Sequence, residues 1–331
     1  MKAMLMTATG GPEVLQLQEI DKPVITSPTE VLVKLKAAGI NPVDSKLRRG
    51  LYPVDHLPAL LGCDGAGVVD EVGPDVTRFN PEDEVYFFHG GVGPIQGNYA
   101  EYIVLDERFV ACKPASLDFI HAAAAPLVLL TAWEALHDRA RIQDGYTVLI
   151  HAGAGGVGHV AIQLAKQAGA LVCTTVGSDE NASFVKDLGA DLAINYKAQD
   201  FVAAVMEWTQ GRGVDIAMDN VGGAMIDATF PAVCHYGNMV TLLQPDASVD
   251  WTVARQRNLR FSMENMLSPL LFNLEEAQIH QTWILEQCAT RFDEGKLSIH
   301  VNQVLPLEQA AEAHAHIEEG STTGKLVLSI D

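Results

Sequence analysis

Apolar residues in the middle of the chain follow two alternating periods. Short runs of β-branched and aliphatic residues, typical of buried strands, are followed by segments in which apolar residues recur at helical spacing. This alternation predicts a parallel, doubly wound sheet with helices packed against it. The predicted strands cover residues 148–150, 171–176, 192–196, 214–219, 238–243 and 258–263, and the predicted helices cover residues 122–137, 159–168, 180–188, 201–208 and 225–233.

The two ends of the chain show a different pattern. Residues 1–122 contain short runs separated by frequent Gly and Pro, such as the half-buried strand predicted at 31–36, which is typical of a β-rich, partly barrel-like domain. The C-terminal tail is expected to complete this domain. We therefore expect one domain made of residues 1–122 and 265–331, with residues 123–264 inserted as a second. The elements predicted in the tail are a long amphipathic helix, a strand, a second helix and a last strand, at residues 274–294, 301–305, 307–319 and 324–330.

The strand at 148–150 runs into a glycine-rich turn with the spacing Gly153-x-Gly155-x-x-Gly158, and a helix follows at once. In this context Gly153 permits a tight turn, Gly155 lets a pyrophosphate approach the backbone, and Gly158 lets helix and strand pack closely. The unpaired N–H groups and the positive dipole end of the helix favour a phosphate. The motif predicts a dinucleotide site. The alternative is a tight turn of small residues without a ligand.

Charge and composition exclude several other classes of function. The chain has 331 residues and a formal net charge of −20, which argues against partners that need a basic surface, such as nucleic acid or an anionic membrane. No apolar run approaches the roughly 18 residues that span a bilayer, and no signal peptide is recognised. The five cysteines are scattered without a C-x-x-C pair, so we expect a reducing, cytoplasmic location and no disulfide framework.

Six segments, in order along nearly the whole chain, resemble the medium-chain dehydrogenase/reductase superfamily, specifically its zinc-free quinone oxidoreductase branch, which includes zeta-crystallin. The resemblance implies a GroES-like catalytic domain, a Rossmann nucleotide domain and a nicotinamide cofactor. It also implies a homodimer or homotetramer, formed through the last strand of the nucleotide sheet. The matching segments are residues 39–44, 62–69, 123–126 with 130–133, 152–158, 194–196 and 323–328.

The same resemblance bears on zinc. Zinc alcohol dehydrogenases of the superfamily place a cysteine ligand where this chain has Asn41, and a histidine where it has Cys63. A catalytic zinc needs about three protein ligands. The lobe that holds a structural zinc is also missing, since Cys112 is the only cysteine between Val85 and Lys113. We therefore expect no metal, and we interpret Cys63 as a small buried thiol.

Without a metal, hydrogen-bond donors must stabilise the charge that develops on the acceptor oxygen. The resemblance offers Asn41 and Tyr52 as donors and Asp44, one helical turn after Asn41, as a residue that orients its neighbours. The alternatives are a turn residue before a proline for Asn41, aromatic packing for Tyr52, and a surface or helix-capping carboxylate for Asp44. His89 is considered as a proton relay or an ordinary loop histidine.

The residues expected at the ribose favour NADPH over NADH. NAD enzymes carry an acidic residue after the second strand, about 20 residues beyond the glycine motif, whereas the resemblance places Val176 there, followed by Gly177 and Ser178. Asp179 and Glu180 follow immediately and weaken this interpretation, as does Asn181, which replaces a basic residue of some relatives. Lys325 and Tyr196 are expected to compensate in part; the alternatives are a surface lysine and a strand-end tyrosine.

The resemblance also implies further cofactor contacts, of which Asn220 and Leu242 are supported independently because they follow strand ends at the switch point of the sheet. The expected contacts are Thr131 and Leu242 near the nicotinamide, Asn220 after the fourth strand, and the backbone of Gly153, Ala154, Gly155, Gly156 and Val157 at the pyrophosphate.

Together these features predict an NADPH-dependent oxidoreductase that passes hydride to a small-molecule acceptor, either a quinone or an α,β-unsaturated carbonyl. The sequence does not separate these two acceptors, because both are electron-poor conjugated systems. A zinc-type alcohol dehydrogenase is the alternative enzyme. A non-catalytic NADPH-binding protein is the alternative from another class, because a fold does not guarantee an activity.

Overall fold

The structure is a computed structural model that describes residues 1–54, 56–92, 95–320 and 322–331. Its contacts divide the chain into two units. Unit 1 comprises Met1–Leu127 and Leu267–Asp331, and unit 2 comprises Val128–Met266. In the described part of the chain, no helix combines the length and apolarity needed to cross a membrane.

The N-terminal part of unit 1 consists mainly of short strands. Its elements are β1 (Lys2–Met6), β2 (Leu15–Glu19), β3 (Glu30–Ile40), α1 (Pro42–Arg48), β4 (Ala59–Leu60), β5 (Asp64–Val72), β6 (Glu84–Phe88), β7 (Tyr102–Asp106), β8 (Ala111–Cys112) and α2 (Phe119–Ala124).

Unit 2 alternates helices with strands. Its elements are α3 (Pro126–Trp133, which begins in the last residues of unit 1), β9 (Thr147–Ile150), α4 (Gly156–Gln167), β10 (Leu171–Val176), α5 (Asp179–Asp187), β11 (Leu192–Asn195), α6 (Phe201–Trp208), β12 (Val214–Asp219), α7 (Met225–Thr229), β13 (Val233–Thr241), α8 (Thr252–Gln256) and β14 (Arg260–Met263).

The C-terminal tail returns the chain to unit 1. Its elements are α9 (Ser268–Leu271), α10 (Glu275–Asp293), β15 (Val301–Pro306), α11 (Ala310–Glu319) and β16 (Lys325–Ser329).

Strand β3 organises unit 1. It pairs antiparallel with β5 along one edge, and along the other edge with β7 at residues 30–34 and with β16 at residues 37–40, so that the last strand of the chain lies beside one of the first. The sheet has the order β15-β16-β3-β5-β6-β8, with β7 paired to β3 as its seventh strand, and β2-β1-β4 form a second, smaller sheet. The alternating apolar residues of β3, such as Val31, Val33 and Leu35, are buried, which explains why the pattern at 31–36 was readable.

Unit 2 contains the predicted parallel sheet, with the strand order β11-β10-β9-β12-β13-β14. The chain moves outward from β9 to β11, then crosses back to β12 and moves outward again, so the order of strands reverses between β9 and β12. A doubly wound sheet binds its ligand at such a switch point, beyond the carboxyl ends of the strands. The strand ending at Met263 forms one edge of the sheet, as predicted.

The helical segment predicted at 122–137 is divided at Pro126, the position where its sequence predicts a kink or boundary. Helix α2 ends at Ala124, α3 begins at Pro126, and a π-helical turn follows at Glu134–Arg139. Proline lacks the N–H that would continue the hydrogen-bond ladder, so it starts a new helix here.

The boundary predicted between the helix at 225–233 and the strand at 238–243 is wrong. Helix α7 ends at Thr229, a 3-10 turn covers Phe230–Ala232, and β13 already begins at Val233. The backbone of Tyr236 adopts a left-handed φ of 63°, and the pairing with β12 shifts register before Asn238. This irregularity hides the first half of the strand from a simple period of two.

Candidate functional site

The glycine-rich turn lies between β9 and α4, and its three motif glycines meet different surroundings. A Cβ on Gly153 would lie 2.0 Å from the Thr174 hydroxyl, and one on Gly158 would lie 2.3 Å from the Ala152 carbonyl oxygen. A Cβ on Gly155 would have only one neighbour, at 3.3 Å. Gly153 and Gly158 are therefore required by the fold of the turn itself. A Cβ on Gly155, the N-cap of α4, would meet no other atom within 4 Å, so a ligand can approach the backbone there.

The buried side chain of His151 links the start of this turn to two neighbouring threonines. The imidazole of His151 lies 3.1 Å from the Thr175 hydroxyl through Nδ1 and 2.9 Å from the Thr229 hydroxyl through Nε2. Burial lowers the pKa of His151 to about 4, so the ring is neutral at physiological pH. His159 contacts the Gly155 carbonyl oxygen through Nδ1 at 2.9 Å. Both histidines therefore contact the glycine-rich turn or the residues beside it.

Polar groups at the carboxyl ends of β12 and β13 are arranged by one carboxylate. Asp219 accepts hydrogen bonds from the backbone of Val221 and Gly222 and from the Thr241 hydroxyl, at 2.9, 3.0 and 2.8 Å. Its carbonyl oxygen accepts the Leu242 N–H at 3.0 Å. Asp219 thereby fixes the turns that follow two neighbouring strands. Its role could have been inferred only from its place at a strand end.

The structure places Asn220 at the same edge of the sheet. Its amide donates to the His151 carbonyl oxygen at 2.8 Å, while its buried Oδ1 has no partner in the described part of the chain. A buried acceptor without a donor is costly, so a ligand hydroxyl or amide would satisfy it. Asn220 and Leu242 therefore lie at the edge where the glycine turn opens, as the strand-end argument predicted.

The segment after β10, where the ribose of a cofactor is expected, is neutral at Val176 and Ser178 and acidic at the next two residues. Val176 ends β10 and is buried, and the Ser178 hydroxyl caps α5 by accepting the Asn181 N–H at 3.2 Å. Asp179 and Glu180 occupy the first turn of that helix. Tyr196 is 53% exposed, and its hydroxyl lies over Gly177, where a Cβ would meet it at 3.0 Å. Thr131, on α3, is buried.

Unit 1 holds a buried cluster around Asn41. The Asn41 amide donates to Asp64 Oδ2 at 2.9 Å, and its oxygen accepts a short hydrogen bond from the Lys325 ammonium. Lys325 also donates to the Ile40 carbonyl oxygen at 3.0 Å and lies 3.5 Å from Asp64 Oδ2. Burial lowers the pKa of Lys325 and raises that of Asp64, but each group opposes the shift of the other, so we assign an ion pair.

Lys325 was expected to help bind a ribose phosphate, and this expectation is wrong. The side chain is only 4% exposed, and its ammonium is held within unit 1 by Ile40, Asn41 and Asp64. A buried ammonium needs such partners, and the sequence shows no local sign that they come together. It is not a solvated surface lysine either.

Asp44 caps α1 from within rather than lying on its surface. Its Oδ2 accepts the Asn41 backbone N–H at 2.8 Å and the Tyr99 hydroxyl at 3.1 Å. Asp44 is fully buried, and its Oδ1 has no partner among the described residues. Burial, opposed by these hydrogen bonds, raises the pKa of Asp44 to about 7. The capping interpretation is confirmed and the surface interpretation is wrong.

The direction of the hydrogen bonds behind Asp44 follows from Arg48, which can only donate. Its Nε donates to His314 Nδ1 at 3.3 Å, so the neutral ring carries its proton on Nε2. That N–H faces the Tyr99 oxygen at 3.2 Å, and the Tyr99 hydroxyl in turn donates to Asp44. Since Oδ2 of Asp44 accepts two hydrogen bonds, any proton on this carboxyl group is on Oδ1.

Sequence reasoning missed most of this cluster. Asp64 lies in one of the matching segments, but the resemblance implies no role for it. Tyr99 and His314 are 215 positions apart, and Arg48 and His314 are 266 apart. No local pattern could have linked them.

The remaining candidates in unit 1 are less central. Tyr52 is 45% exposed, and its ring lies 5.9 Å from the Lys46 ammonium. Cys63 is a buried free thiol whose pKa is raised by burial, as interpreted from the sequence. His89 is buried and stacked on Phe109, and burial lowers its pKa to about 4, which disfavours a relay role near neutral pH.

The cluster does not fit a catalytic zinc. Within the described ranges, no three His, Cys, Asp or Glu side chains are grouped so that they could hold a metal ion. The Lys325 ammonium also occupies the polar atoms of Asn41 and Asp64 that would face such an ion. A second cation beside it would be repelled.

Comparison with known proteins places these features in context. Residues 27–115 match the family described as alcohol dehydrogenase GroES-like domain, and residues 188–328 match the family described as zinc-binding dehydrogenase. The chain is 33% identical over 330 residues to a quinone oxidoreductase of Pseudomonas aeruginosa, which covers 99% of both chains.

Among the solved structures that are similar over the whole of both chains are two that bear on function. One is described as an NAD-dependent alcohol dehydrogenase, with a TM-score of 0.91 and 34% identity. The other is the quinone oxidoreductase of Escherichia coli in complex with NADPH, with a TM-score of 0.89 and 29% identity.

The first prediction concerns Asp44 and stability. Its pKa in the folded protein, about 7, lies above the ordinary 3.8, so the folded state binds this proton more tightly than the unfolded state. Its contribution is therefore complete below pH 4 and is lost as the pH rises towards 7. We compare the free energy of unfolding of Asp44→Asn with that of wild type, measured by urea unfolding. The difference in favour of the variant is expected to grow by roughly 2–4 kcal/mol from pH 4 to pH 7. The exposed Asp21→Asn is the control, and parallel pH profiles for wild type and Asp44→Asn would contradict the assignment.

The second prediction separates the two roles of the motif glycines. Gly158→Ala places a Cβ against backbone and is expected to lower the free energy of unfolding by about 1–3 kcal/mol. Gly155→Ala places a Cβ near one atom only, the Ala152 carbonyl oxygen at 3.3 Å, so it should destabilise the fold much less than Gly158→Ala but bind NADPH about tenfold more weakly. Urea unfolding and fluorescence titration measure the two effects. Unchanged NADPH affinity in Gly155→Ala would exclude the proposed approach of the ligand.

Proposed function

We propose that this chain, which belongs to the quinone oxidoreductase branch of the medium-chain dehydrogenase/reductase superfamily, transfers hydride from NADPH to a quinone or an α,β-unsaturated carbonyl. The observation that carries the proposal is similarity over the full length to quinone oxidoreductases, one of them solved with NADPH. The comparisons confirm the superfamily, the fold class and an oxidoreductase activity.

The residues of unit 2 fit a nicotinamide dinucleotide. The open face of Gly155 and the N–H groups that begin α4 would hold the pyrophosphate, with the backbone of Ala154 to Val157 around it. The unpartnered Oδ1 of Asn220 would accept a hydrogen bond from the ribose or amide, and Leu242 and Thr131 would pack near the nicotinamide. The bound cofactor supplies the hydride chemistry itself.

Within unit 1 we assign the contact with the acceptor oxygen to Tyr52 and a positioning role to Asn41. Tyr52 is 45% exposed, whereas Asn41 is buried and bonded to Asp64 and Lys325. The phenol donates a hydrogen bond to the oxygen as charge develops on it. Asp44, capping α1, holds the backbone of Asn41 in place.

We also propose that the reaction is independent of zinc. The Lys325 ammonium supplies the positive charge of the buried cluster, and the residues at the zinc-ligand positions of related enzymes are Asn41 and Cys63. Metal analysis of the purified protein is expected to find zinc well below one ion per chain, while stoichiometric zinc would favour the alcohol dehydrogenase alternative.

Oligomerisation through the exposed edge of β14 is a further part of the proposal. Met263 is 58% exposed at the end of this edge strand, and such edges are usually covered. Sedimentation velocity distinguishes a monomer from a homodimer or homotetramer. The cytoplasmic location expected from the cysteines stays a prediction.

The central test is NADPH oxidation at 340 nm against a panel of quinones and enones. Turnover with at least one conjugated acceptor is expected, and Tyr52→Phe should lower kcat at least about tenfold while leaving the Kd of NADPH unchanged. The exposed Tyr236→Phe in unit 2 is the matched control. Cofactor binding without turnover on any acceptor would favour a non-catalytic binding protein.

Preference for NADPH over NADH is tested at Ser178. Aspartate caps a helix as well as serine does, so Ser178→Asp keeps the cap of α5 while placing a carboxylate beside the expected 2′-phosphate. We expect NADPH affinity to fall about tenfold or more, with NADH affinity retained. Ser178→Asn is the neutral control. Tighter binding of NADH than NADPH by the wild-type protein would reverse the assignment.

A further inference from the structure

Unit 1 contains a pocket of about 310 Å³ that the site described above does not use. Eleven of its fourteen described lining residues carry aliphatic or proline side chains. They include Leu5 of β1, Leu47 of α1 and Leu61 directly after β4. Val92 and Ile95, which follow β6 along the chain, also line the pocket. The volume lies at the lower end of the range for small-molecule sites, and the lining is of the apolar kind such sites have.

The described polar groups of the pocket leave little for a charged ligand to bind. His56 and Gln96 are the only described lining residues with polar side chains. The Gln96 amide already donates to the Tyr102 carbonyl oxygen at 2.7 Å. The described lining contains no Lys, Arg, Asp or Glu, and the chain as a whole carries a formal net charge of −20, which disfavours an anion. The occupant that suits this pocket is therefore neutral and hydrocarbon.

Several lining residues of the pocket lie on the same elements as the cluster around Asn41, or close to it along the chain. Leu47 lies six positions after Asn41, on the helix that Asn41 begins. Leu61 lies three positions before Asp64, which accepts the Asn41 amide. Pro53 and Val54, which also line the pocket, directly follow Tyr52. The elements that position the proposed catalytic groups therefore continue into the apolar walls.

From these observations we infer that the pocket binds the neutral hydrocarbon substituent, an alkyl or prenyl chain, of the acceptor that the enzyme reduces. The inference rests on the proposed function, because it assigns the chain to the substrate of that reaction. The polar ring of the acceptor remains at Tyr52, and its substituent enters between α1 and the segment that leads into β5. No chemistry takes place in the pocket, which contributes affinity alone.

A homologous series of 2-alkyl-1,4-benzoquinones measures this contribution. At saturating NADPH, KM is expected to fall about threefold for each methylene group that enters the pocket, and to level off once the pocket is full. The value of kcat should change little, because the substituent is bound equally in the ground and transition states. A KM that is independent of chain length would overturn the inference.

A variant that fills the pocket provides the second arm. Ala59 lines the pocket and is 8% exposed, so Ala59→Phe should abolish the advantage of long chains and leave kinetics with unsubstituted benzoquinone unchanged. Leu57→Phe is the matched control, because Leu57 is exposed and does not line the pocket. If Ala59→Phe does not fold, as circular dichroism would show, Leu60→Trp fills the same space from the next residue.

Calorimetric binding of 1-decanol makes the test independent of turnover. The wild-type protein should bind 1-decanol, Ala59→Phe should bind it at least about tenfold more weakly, and decanoate should bind more weakly than the alcohol. If no acceptor is reduced but decanol binding depends on Ala59, the pocket is retained and the proposed reaction fails. If acceptors are reduced but decanol binding and KM are the same in Ala59→Phe as in wild type, the proposed reaction is supported and the pocket assignment is wrong.

Discussion

The central interaction of unit 1 is the ion pair between the buried ammonium of Lys325 and Asp64. A charge removed from water is tolerated only when hydrogen bonds and an opposite charge replace the lost hydration. Lys325 obtains both, from the Ile40 carbonyl oxygen, the Asn41 amide oxygen and the Asp64 carboxylate. These partners are available only when β16 pairs with β3, because Leu326 lies opposite Ile40 in that register. One ion pair thus joins the last strand of the chain to the elements that position Asn41.

The same cluster supports the proposal that the reaction is independent of zinc. Asn41 and Cys63 stand at positions where related enzymes carry zinc ligands, and a protein cation already occupies the polar atoms there. Behind Asn41, a directed series of donors from Arg48 through His314 and Tyr99 ends on Asp44. It leaves one carboxyl oxygen of Asp44 unpartnered and able to carry a proton, so the charge of the cluster changes near neutral pH.

Unit 2 is governed by a different constraint, the close approach of backbone to backbone in the glycine turn. Gly153 and Gly158 leave no room for a side chain, whereas a Cβ on Gly155 would have a single neighbour, at 3.3 Å. The turn can therefore present N–H groups to a phosphate only because Gly153 and Gly158 let it pack closely against its neighbours. Asp219 and His151 hold the neighbouring strand ends in place, so that Asn220 and Leu242 lie at the same edge.

The sequence by itself determined the alternation of strands and helices in unit 2, the glycine turn, the neutral positions Val176 and Ser178, and the absence of the usual zinc ligands. Each of these is a local property, set by periodicity, by backbone freedom or by the identity of one side chain. Tertiary structure alone decided the pairing of Lys325 with Asn41 and Asp64, the burial of Asp44 and the donors behind it. Those contacts join residues as many as 284 positions apart, and burial, which turns an ordinary lysine or aspartate into a perturbed one, exists only once the chain has folded.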